Sequence, residues 1–332
     1  MKGTRFGLCV VTFLATATWR ASAQEDAHIV GPGTVEAPVK GPSPKDAASL
    51  RFGDAGPYEL GPDSKPQDGV PKGTVTKYHH RSEKVYPGVE RDYWVYVPVQ
   101  YDGSKPACLM VFQDGSLYLG NDPVRGQLTA PVVFDNLIHK GQMPLTIGLF
   151  VNAGDKGPGY PIWGGRDNRS VEYDSLGDRY ARFLIEELIP EVTKKYRVTD
   201  DRAGRATVGL SSGGIAAFTL AWERPDVFGK VISHCGSYID VRGGHNYPGL
   251  VRKTMKKPIR VFLQSGAHDA NVVFGDLALA NRQMASALEY AEYDYKFVFG
   301  EGGHSLKHGG AIFPDTLRWL WRDYPGVKPA TK

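Results

Sequence analysis

Apolar and polar residues follow one another in a pattern that predicts a regular alternation of strands and helices. Residues 107–112 form a continuous apolar run, which is typical of a central strand buried on both faces. Residues 178–196 place apolar side chains on one face at helical spacing. The pattern predicts further strands at 73–82, 91–99, 145–152, 206–210, 230–235, 259–263 and 293–299, and further helices at 131–139, 215–220, 280–291 and 313–324. This alternation predicts a mostly parallel central sheet with helices on both faces.

The first residues have the features of a secretory signal. Lys2 and Arg5 precede a mostly apolar run, and Ala21-Ser22-Ala23 is an A-x-A-like cleavage site. The apolar run is too short for a membrane anchor. We therefore expect residues 1–23 to be removed and the mature protein to be secreted or periplasmic.

The composition of the rest of the chain indicates its domain organisation and the kind of ligand that it does not bind. Residues 24–69 are rich in Pro and Gly and predict an extended arm, whereas residues 70–325 predict one α/β domain. Removing Lys2, Arg5 and Arg20 lowers the formal charge from +4 to +1. A net charge this small does not indicate nucleic-acid binding.

Cysteine and histidine spacing gives no sign of a metal site. Outside the predicted signal the chain has only Cys108 and Cys235, which fall on different predicted strands and which we expect to be buried free thiols. The histidines form no H-x-x-x-H pair on a predicted helix, so we expect no metal and no cofactor.

The pentapeptide Gly209-Leu210-Ser211-Ser212-Gly213 has the form G-x-S-x-G and stands between a predicted strand and a predicted helix. In that context the motif indicates a nucleophile elbow, in which a sharp turn raises the serine above the sheet. Glycine is needed where the turn is too tight for a Cβ. The alternative is an ordinary strand-to-helix turn, in which Gly and Ser are common.

Ligands of a parallel sheet lie at the carboxyl ends of its strands, so polar residues after each strand are candidates for chemistry. Ser211, Asp269 and His304 occupy such positions in the order Ser…Asp…His, which is that of the α/β-hydrolases. Serine would be the nucleophile, histidine its base, and aspartate would orient the imidazole. Asp276, in the following loop, is the competing acid.

An acyl-transfer site also needs donors for an oxyanion. One is expected to be the backbone N–H of Ser212, and the other that of Gly115 or Ser116, in the loop after the 107–112 strand. An ordinary Asp-Gly turn is the alternative for that loop.

Substrate contacts are expected from loops around the triad. Residues 155–174 form a long loop with aromatic and arginine side chains, suited to a sugar or phenolic ring and to an anionic group. The alternative is that these side chains only pack the loop onto the domain. The candidate substrate-binding residues are Tyr118, Trp163, Arg166, Tyr238 and His268.

The segments V-F-Q-D-G, G-L-S-S-G-G, A-N-R-Q-M and E-G-G-H resemble the enterochelin-esterase-like branch of the α/β-hydrolases, which is related to feruloyl and acetylxylan esterases. The resemblance covers about residues 70–325. It implies an α/β-hydrolase fold without a large lid and the roles of Ser211, His304 and an acid after the preceding strand.

These observations predict a metal-independent serine esterase that acts on a small-molecule ester, of phenolic, siderophore-like or carbohydrate type, through an acyl-enzyme. Two alternatives are open. One is an acyltransferase with the same triad, and the other is a non-catalytic protein that uses the same pocket for binding.

Overall fold

The structure, a computed structural model, describes residues 58–120, 128–155 and 168–329. The predicted signal segment, most of the predicted arm and the loop residues Trp163 and Arg166 lie outside these ranges. All the described residues fall within the unit Pro42–Lys332. In this part of the chain, no helix combines the length and the apolar character needed to cross a bilayer.

Ten strands lie in the described residues, and eight of them are close to the predicted positions. They are β1 (Thr74–Arg81), β2 (Glu90–Val97), β3 (Cys108–Gln113), β4 (Thr146–Val151), β5 (Arg205–Leu210), β6 (Lys230–His234), β7 (Arg260–His268), β8 (Asn271–Val272), β9 (Gly275–Asp276) and β10 (Asp294–Gly303). The two-residue strands β8 and β9 were not predicted.

The described helices alternate with these strands. They are α1 (Ala130–His139), α2 (Arg169–Tyr173), α3 (Arg179–Phe183), α4 (Ile189–Thr193), α5 (Ser212–Glu223), α6 (Tyr247–Lys253), α7 (Leu277–Tyr290), α8 (Leu306–Ala311) and α9 (Phe313–Trp321). Short 3₁₀ turns add Pro62–Ser64, Gly115–Tyr118, Arg202–Gly204 and Gly244–Asn246.

Eight of the strands form one sheet in the order β1-β2-β4-β3-β5-β6-β7-β10. The pairs β1/β2 and β2/β4 are antiparallel, and the remaining five pairs are parallel. The fold class predicted from the sequence, a mostly parallel α/β-hydrolase sheet, is therefore confirmed. The carboxyl ends of β3, β5, β6, β7 and β10 lie along one edge, where the candidate residues follow them.

The central strands β3, β4, β5 and β6 are buried on both faces, and successive side chains of each strand point in opposite directions. On β3, Leu109 and Val111 belong to one apolar cluster, and Met110 and Phe112 belong to the other. The first cluster includes side chains of α5 and α7, and the second includes those of α1 and α9. This double burial explains why the β3 sequence is a continuous apolar run.

The helix predicted over 178–196 is interrupted by a π-helical turn, Leu184–Leu188, between α3 and α4. Pro190 lies in the first turn of α4 and has no N–H to donate to a preceding carbonyl. A local π turn allows the helix to continue past such a residue.

Residues 58–69, which the sequence assigns to the arm, contact the domain. The Asn136 side chain donates from Nδ2 to the carbonyls of Asp63 and Lys65, both at 2.9 Å. The Asp63 carboxylate pairs with Lys140 and Arg318. Both cations belong to the predicted domain, so residues 58–69 pack against it.

Candidate active site

Ser211 lies on a sharp turn between β5 and α5. Its φ of 62° and ψ of −124° are unusual for a residue with a side chain. A Cβ on Gly209 would come within 2.0 Å of the Gly213 carbonyl oxygen, so only glycine fits there. A Cβ on Gly213 would be 3.2 Å from the Asp114 carboxylate, a tight contact rather than a backbone collision. The G-x-S-x-G pentapeptide thus forms a nucleophile elbow in geometry.

Three side chains from three strand ends form a continuous hydrogen-bonded relay. His304 Nε2 is 2.8 Å from Ser211 Oγ. His304 Nδ1 is 2.6 Å from Asp269 Oδ1. The competing acid, Asp276, instead accepts the Leu279 N–H at 2.9 Å and caps the N-terminus of α7. Asp269 is therefore the carboxylate that can orient His304.

The environment of Asp269 favours its charged form. Burial alone would raise its pKa, but the charge of His304 and hydrogen bonds from His304, Ser265 and Ala270 outweigh burial and lower the pKa. Ser265 Oγ donates to Asp269 Oδ2 at 2.6 Å, and the Ala270 N–H donates to Oδ1 at 2.8 Å. An ionised Asp269 keeps the proton of a neutral His304 on Nδ1, so Nε2 can accept from Ser211.

Ser237 is a neighbour of Ser211 that was not among the predicted site residues. Its Oγ is 3.3 Å from Ser211 Oγ, and its N–H donates to the Ser211 carbonyl at 3.1 Å. Tyr238, in the same post-strand segment, was predicted as a substrate contact, but its side chain lies elsewhere. The Tyr238 side chain is buried and its hydroxyl donates to Ser233 Oγ at 3.1 Å, so it packs in the core.

The two candidates for the second oxyanion donor have different surroundings. The N–H of Ser116 already donates to Asn152 Oδ1 at 3.1 Å, which removes Ser116 as a donor in this structure. Gly115 starts the 3₁₀ turn after β3, and a Cβ there would lie 2.4 Å from backbone atoms of Phe150 and Val151. This close approach requires glycine and leaves Gly115 as the candidate to act with Ser212.

Tyr118 also lies away from the site. The ring is fully buried, and its hydroxyl is 3.1 Å from Nδ1 of His234. Burial, together with the nearby His308, lowers the pKa of His234 to about 3, so that imidazole is neutral at physiological pH. Tyr118 is therefore a core residue and not the substrate contact that the sequence analysis expected.

His268 differs from these core residues because its side chain is 65% exposed. Its Nε2 lies 3.7 Å from Glu301 Oε2, and it directly precedes Asp269 in the chain. An exposed imidazole beside the acid of the relay remains available to a ligand. Trp163 and Arg166, the remaining predicted contacts, lie outside the described residues.

Two residues of the 155–174 loop are placed by the structure against the β3 end. The Arg169 guanidinium binds the Asp114 carboxylate, with Nη2 to Oδ2 at 2.7 Å. The Tyr173 hydroxyl is buried and accepts the Asp114 N–H at 3.2 Å. Both side chains therefore pack this segment onto the domain, which was the alternative to substrate binding.

The described residues contain one group with metal-ligand chemistry, Cys235, Asp269 and His304, whose ligand atoms lie within 4.8 Å of one another. Burial and, next, the charge of Asp269 raise the pKa of Cys235, which disfavours the thiolate that a metal would need. Both ring nitrogens of His304 are already engaged by Ser211 and Asp269. The group therefore fits a proton relay better than a metal site. Cys108 and Cys235 are both free and buried, as predicted.

The chain is similar to known esterases in sequence and in fold. The sequence pattern of the family described as "Putative esterase" matches residues 85–320. An iron(III) enterobactin esterase of Dickeya dadantii is 25% identical over 251 residues, which are 70% of this chain and 52% of that protein. The chain thus spans about half the length of this relative.

Solved structures give the same fold. A ferric enterobactin esterase from Salmonella typhimurium superimposes with a TM-score of 0.64 at 20% identity, over 80% of this chain and 62% of that one. A ferulic acid esterase from the anaerobic fungus Anaeromyces mucronatus superimposes with a TM-score of 0.62 at 18% identity, over 79% and 97%. Because the family pattern matches most of the described domain, the chain belongs to the family described as "Putative esterase", on the α/β-hydrolase fold.

Proposed function

We propose that this protein is a serine carboxylic-ester hydrolase that works through an acyl-enzyme on Ser211. The observation that carries the proposal is the relay from Ser211 Oγ through His304 to Asp269, with distances of 2.8 and 2.6 Å. Serine is a poor nucleophile by itself, and an acceptor at hydrogen-bond distance is what activates it. No other serine and histidine among the described residues share a hydrogen bond backed by a carboxylate.

The proposed first half-reaction forms the acyl-enzyme. Ser211 Oγ attacks the ester carbonyl while His304 Nε2 takes the hydroxyl proton, and the Asp269 carboxylate stabilises the resulting imidazolium. The C–O bond to the leaving group then breaks, and His304 returns the proton to the departing alcohol. The products of this half-reaction are the free alcohol and an ester of Ser211.

In the proposed second half-reaction, water replaces the alcohol. His304 takes a proton from the water, whose oxygen attacks the acyl carbon, and returns a proton to Ser211 Oγ as the acid leaves. The negative charge on the carbonyl oxygen would be met in both halves by the N–H groups of Ser212 and Gly115. Ser212 is the first residue of α5, whose N-terminal dipole end also favours that charge.

The substrate is proposed to be a small ester of phenolic, siderophore-like or carbohydrate type. This class rests on the names of the relatives, which are enterobactin and ferulic acid esterases. Among the described residues, the exposed His268, which directly precedes Asp269 in the chain, is the proposed substrate contact.

The substrate class is tested with a panel of esters, from p-nitrophenyl acetate to feruloyl and acetyl sugar esters and a catecholate ester. We expect turnover on at least one phenolic or sugar ester, with free acid as the main product. Adding acceptor alcohols to the reaction separates hydrolysis from acyl transfer. A new ester as the main product at millimolar acceptor, with little free acid, would contradict the hydrolase proposal.

A further inference from the structure

The residue before Gly115 has a strained backbone. Asp114 has φ 53° and ψ 48°, the left-handed region, which aspartate tolerates better than most residues but still at a cost. The conformation of Asp114 fixes the direction of the next peptide group, whose N–H belongs to Gly115. A strained residue persists only where its surroundings hold it.

The carboxylate and the backbone N–H of Asp114 are both held by side chains of α2. Arg169 Nε lies 3.0 Å from both carboxylate oxygens of Asp114, and Nη2 lies 2.7 Å from Oδ2. The pair is largely buried, with side-chain exposures of 26% and 12%. The backbone N–H of Asp114 donates to Tyr173, at the other end of the same helix. Charge-assisted, forked contacts of this kind are both strong and directional.

The same region contacts the other proposed oxyanion donor. Asp174, directly after α2, is buried beside the side chains of Ser212 and Ser170. Burial raises the pKa of Asp174, although the charge of Arg169 opposes the rise. Asp114 Oδ2 would be 3.2 Å from a Cβ on Gly213, in the first turn of α5. The end of β3 and the start of α5 are therefore joined through α2 and the residue after it.

We propose that Arg169 is a positioning residue for the oxyanion hole: by holding Asp114 in its left-handed conformation, it aims the Gly115 N–H at the carbonyl oxygen of the substrate. This inference rests on the proposed esterase function. It assigns to Arg169 a role in catalysis without contact with the substrate.

A positioning role and a substrate-binding role for Arg169 predict different effects on kcat and KM. Negative charge reaches the carbonyl oxygen only in the transition state, so a misdirected Gly115 N–H weakens transition-state binding more than ground-state binding. Loss of Arg169 should then lower kcat and leave KM nearly unchanged. An arginine that instead bound an anionic part of the substrate would act mainly on KM, and only for charged substrates.

The test compares wild type with Arg169→Lys, which keeps the positive charge and loses the fork. On neutral p-nitrophenyl acetate we expect kcat to fall by about 10- to 100-fold, since removal of one oxyanion donor costs about 10²–10³-fold. KM should change by less than about threefold. Binding of an aryl trifluoromethyl ketone, whose serine adduct carries an oxyanion, should weaken by the same factor as kcat.

Arg91→Lys is the matched control. Arg91 forms a bidentate, fully buried pair with Glu172 of α2, the helix that carries Arg169, at 2.7 and 2.9 Å. We expect this variant to lower the melting temperature while kcat stays within about threefold. Asp114→Asn is a second variant for the case that Arg169→Lys does not fold, because asparagine tolerates the left-handed region. It should lower kcat and ketone affinity together.

The outcomes distinguish this inference from the proposed function. Wild-type turnover that depends on Ser211, with unchanged kcat in both Arg169→Lys and Asp114→Asn, would overturn the role of Arg169 alone. A fall in kcat without loss of ketone affinity would do the same. A wild-type protein that neither hydrolyses esters nor binds the ketone would overturn both.

Discussion

At the scale of single residues, the side chain of Asp269 has no solvent exposure, yet its pKa is lowered by the partners around its two oxygens. Ser265 and Ala270 donate to the carboxylate, and His304 occupies the remaining direction. A buried carboxylate with this many donors is held both in charge and in orientation. These contacts explain how one acid can fix the tautomer of His304.

A pair of Asp→Asn variants tests the acid. Asp269→Asn should lower kcat by roughly 10⁴-fold, because an amide cannot hold the imidazole in the required tautomer. Asp276→Asn, which changes the α7 cap, should lower kcat by less than about tenfold. Both are measured on one ester at one pH, with folding checked by circular dichroism. An active Asp269→Asn beside a dead Asp276→Asn would contradict the assignment.

Strand ends could be predicted from the sequence, but the direction of each side chain could not. Ser237 and Tyr238 are adjacent after β6, and only Ser237 reaches Ser211. Likewise, Gly115 and Ser116 follow β3 together, and only the structure shows that Asn152 uses the Ser116 N–H. Which of two adjacent residues faces the site depends on local turn geometry, which the apolar pattern does not encode.

At the scale of elements, the predicted strands and long helices are present because their apolar periodicity reflects burial. The helices α2, α6 and α8 were not predicted, and α2 lies in the segment predicted as a loop. The sequence of α8 is Leu-Lys-His-Gly-Gly-Ala, and its glycines favour a loop when read locally. Its close packing requires small residues, because a Cβ on Gly309 would lie 2.8 Å from His234. Tertiary contact here outweighs local propensity.

The segment before β1 is a second element whose role was not evident from composition. The side chain of Tyr58 stacks on His308 with ring centroids 4.0 Å apart. Its hydroxyl accepts the Glu301 N–H at 3.0 Å, three residues before His304. The segment therefore supports the loop that carries the base of the relay.

A substitution at Asp63 tests whether this segment stabilises the domain. The charges of Lys140 and Arg318 lower the pKa of Asp63 although burial would raise it. Asp63→Asn should reduce the free energy of unfolding at pH 7 by roughly 1–2 kcal/mol, measured by urea denaturation. A lowered folded-state pKa adds stability above the unfolded pKa and loses it as pH falls through the folded value. The difference from wild type should thus shrink as pH falls below the ordinary aspartate pKa of about 3.9.

Asp68→Asn is the matched control in the same segment. Asp68 is exposed, so we expect a change within about 0.5 kcal/mol. Equal losses in the two variants, or none at Asp63, would show that the segment adds no stability through this carboxylate.

At the scale of the whole molecule, five parallel pairings bring residues that are far apart in sequence to one edge of the sheet. Ser211 and His304 are 93 positions apart, and Asp269 and His304 are 35 apart. The alternation of strands and helices in the sequence predicts the fold class but not the strand order. In the observed order, β7 lies between β6 and β10. The order Ser…Asp…His could therefore be predicted as a triad only together with the fold.

The central claim, that Ser211 is the nucleophile, is tested most directly by kcat of Ser211→Ala beside Ser237→Ala on one ester. Both variants remove one hydroxyl, and the two oxygens lie 3.3 Å apart, but only Ser211 bonds to His304. We expect Ser211→Ala to lower kcat by about 10⁴-fold or more and Ser237→Ala by less than about tenfold. More than a tenth of wild-type activity in folded Ser211→Ala would contradict the account.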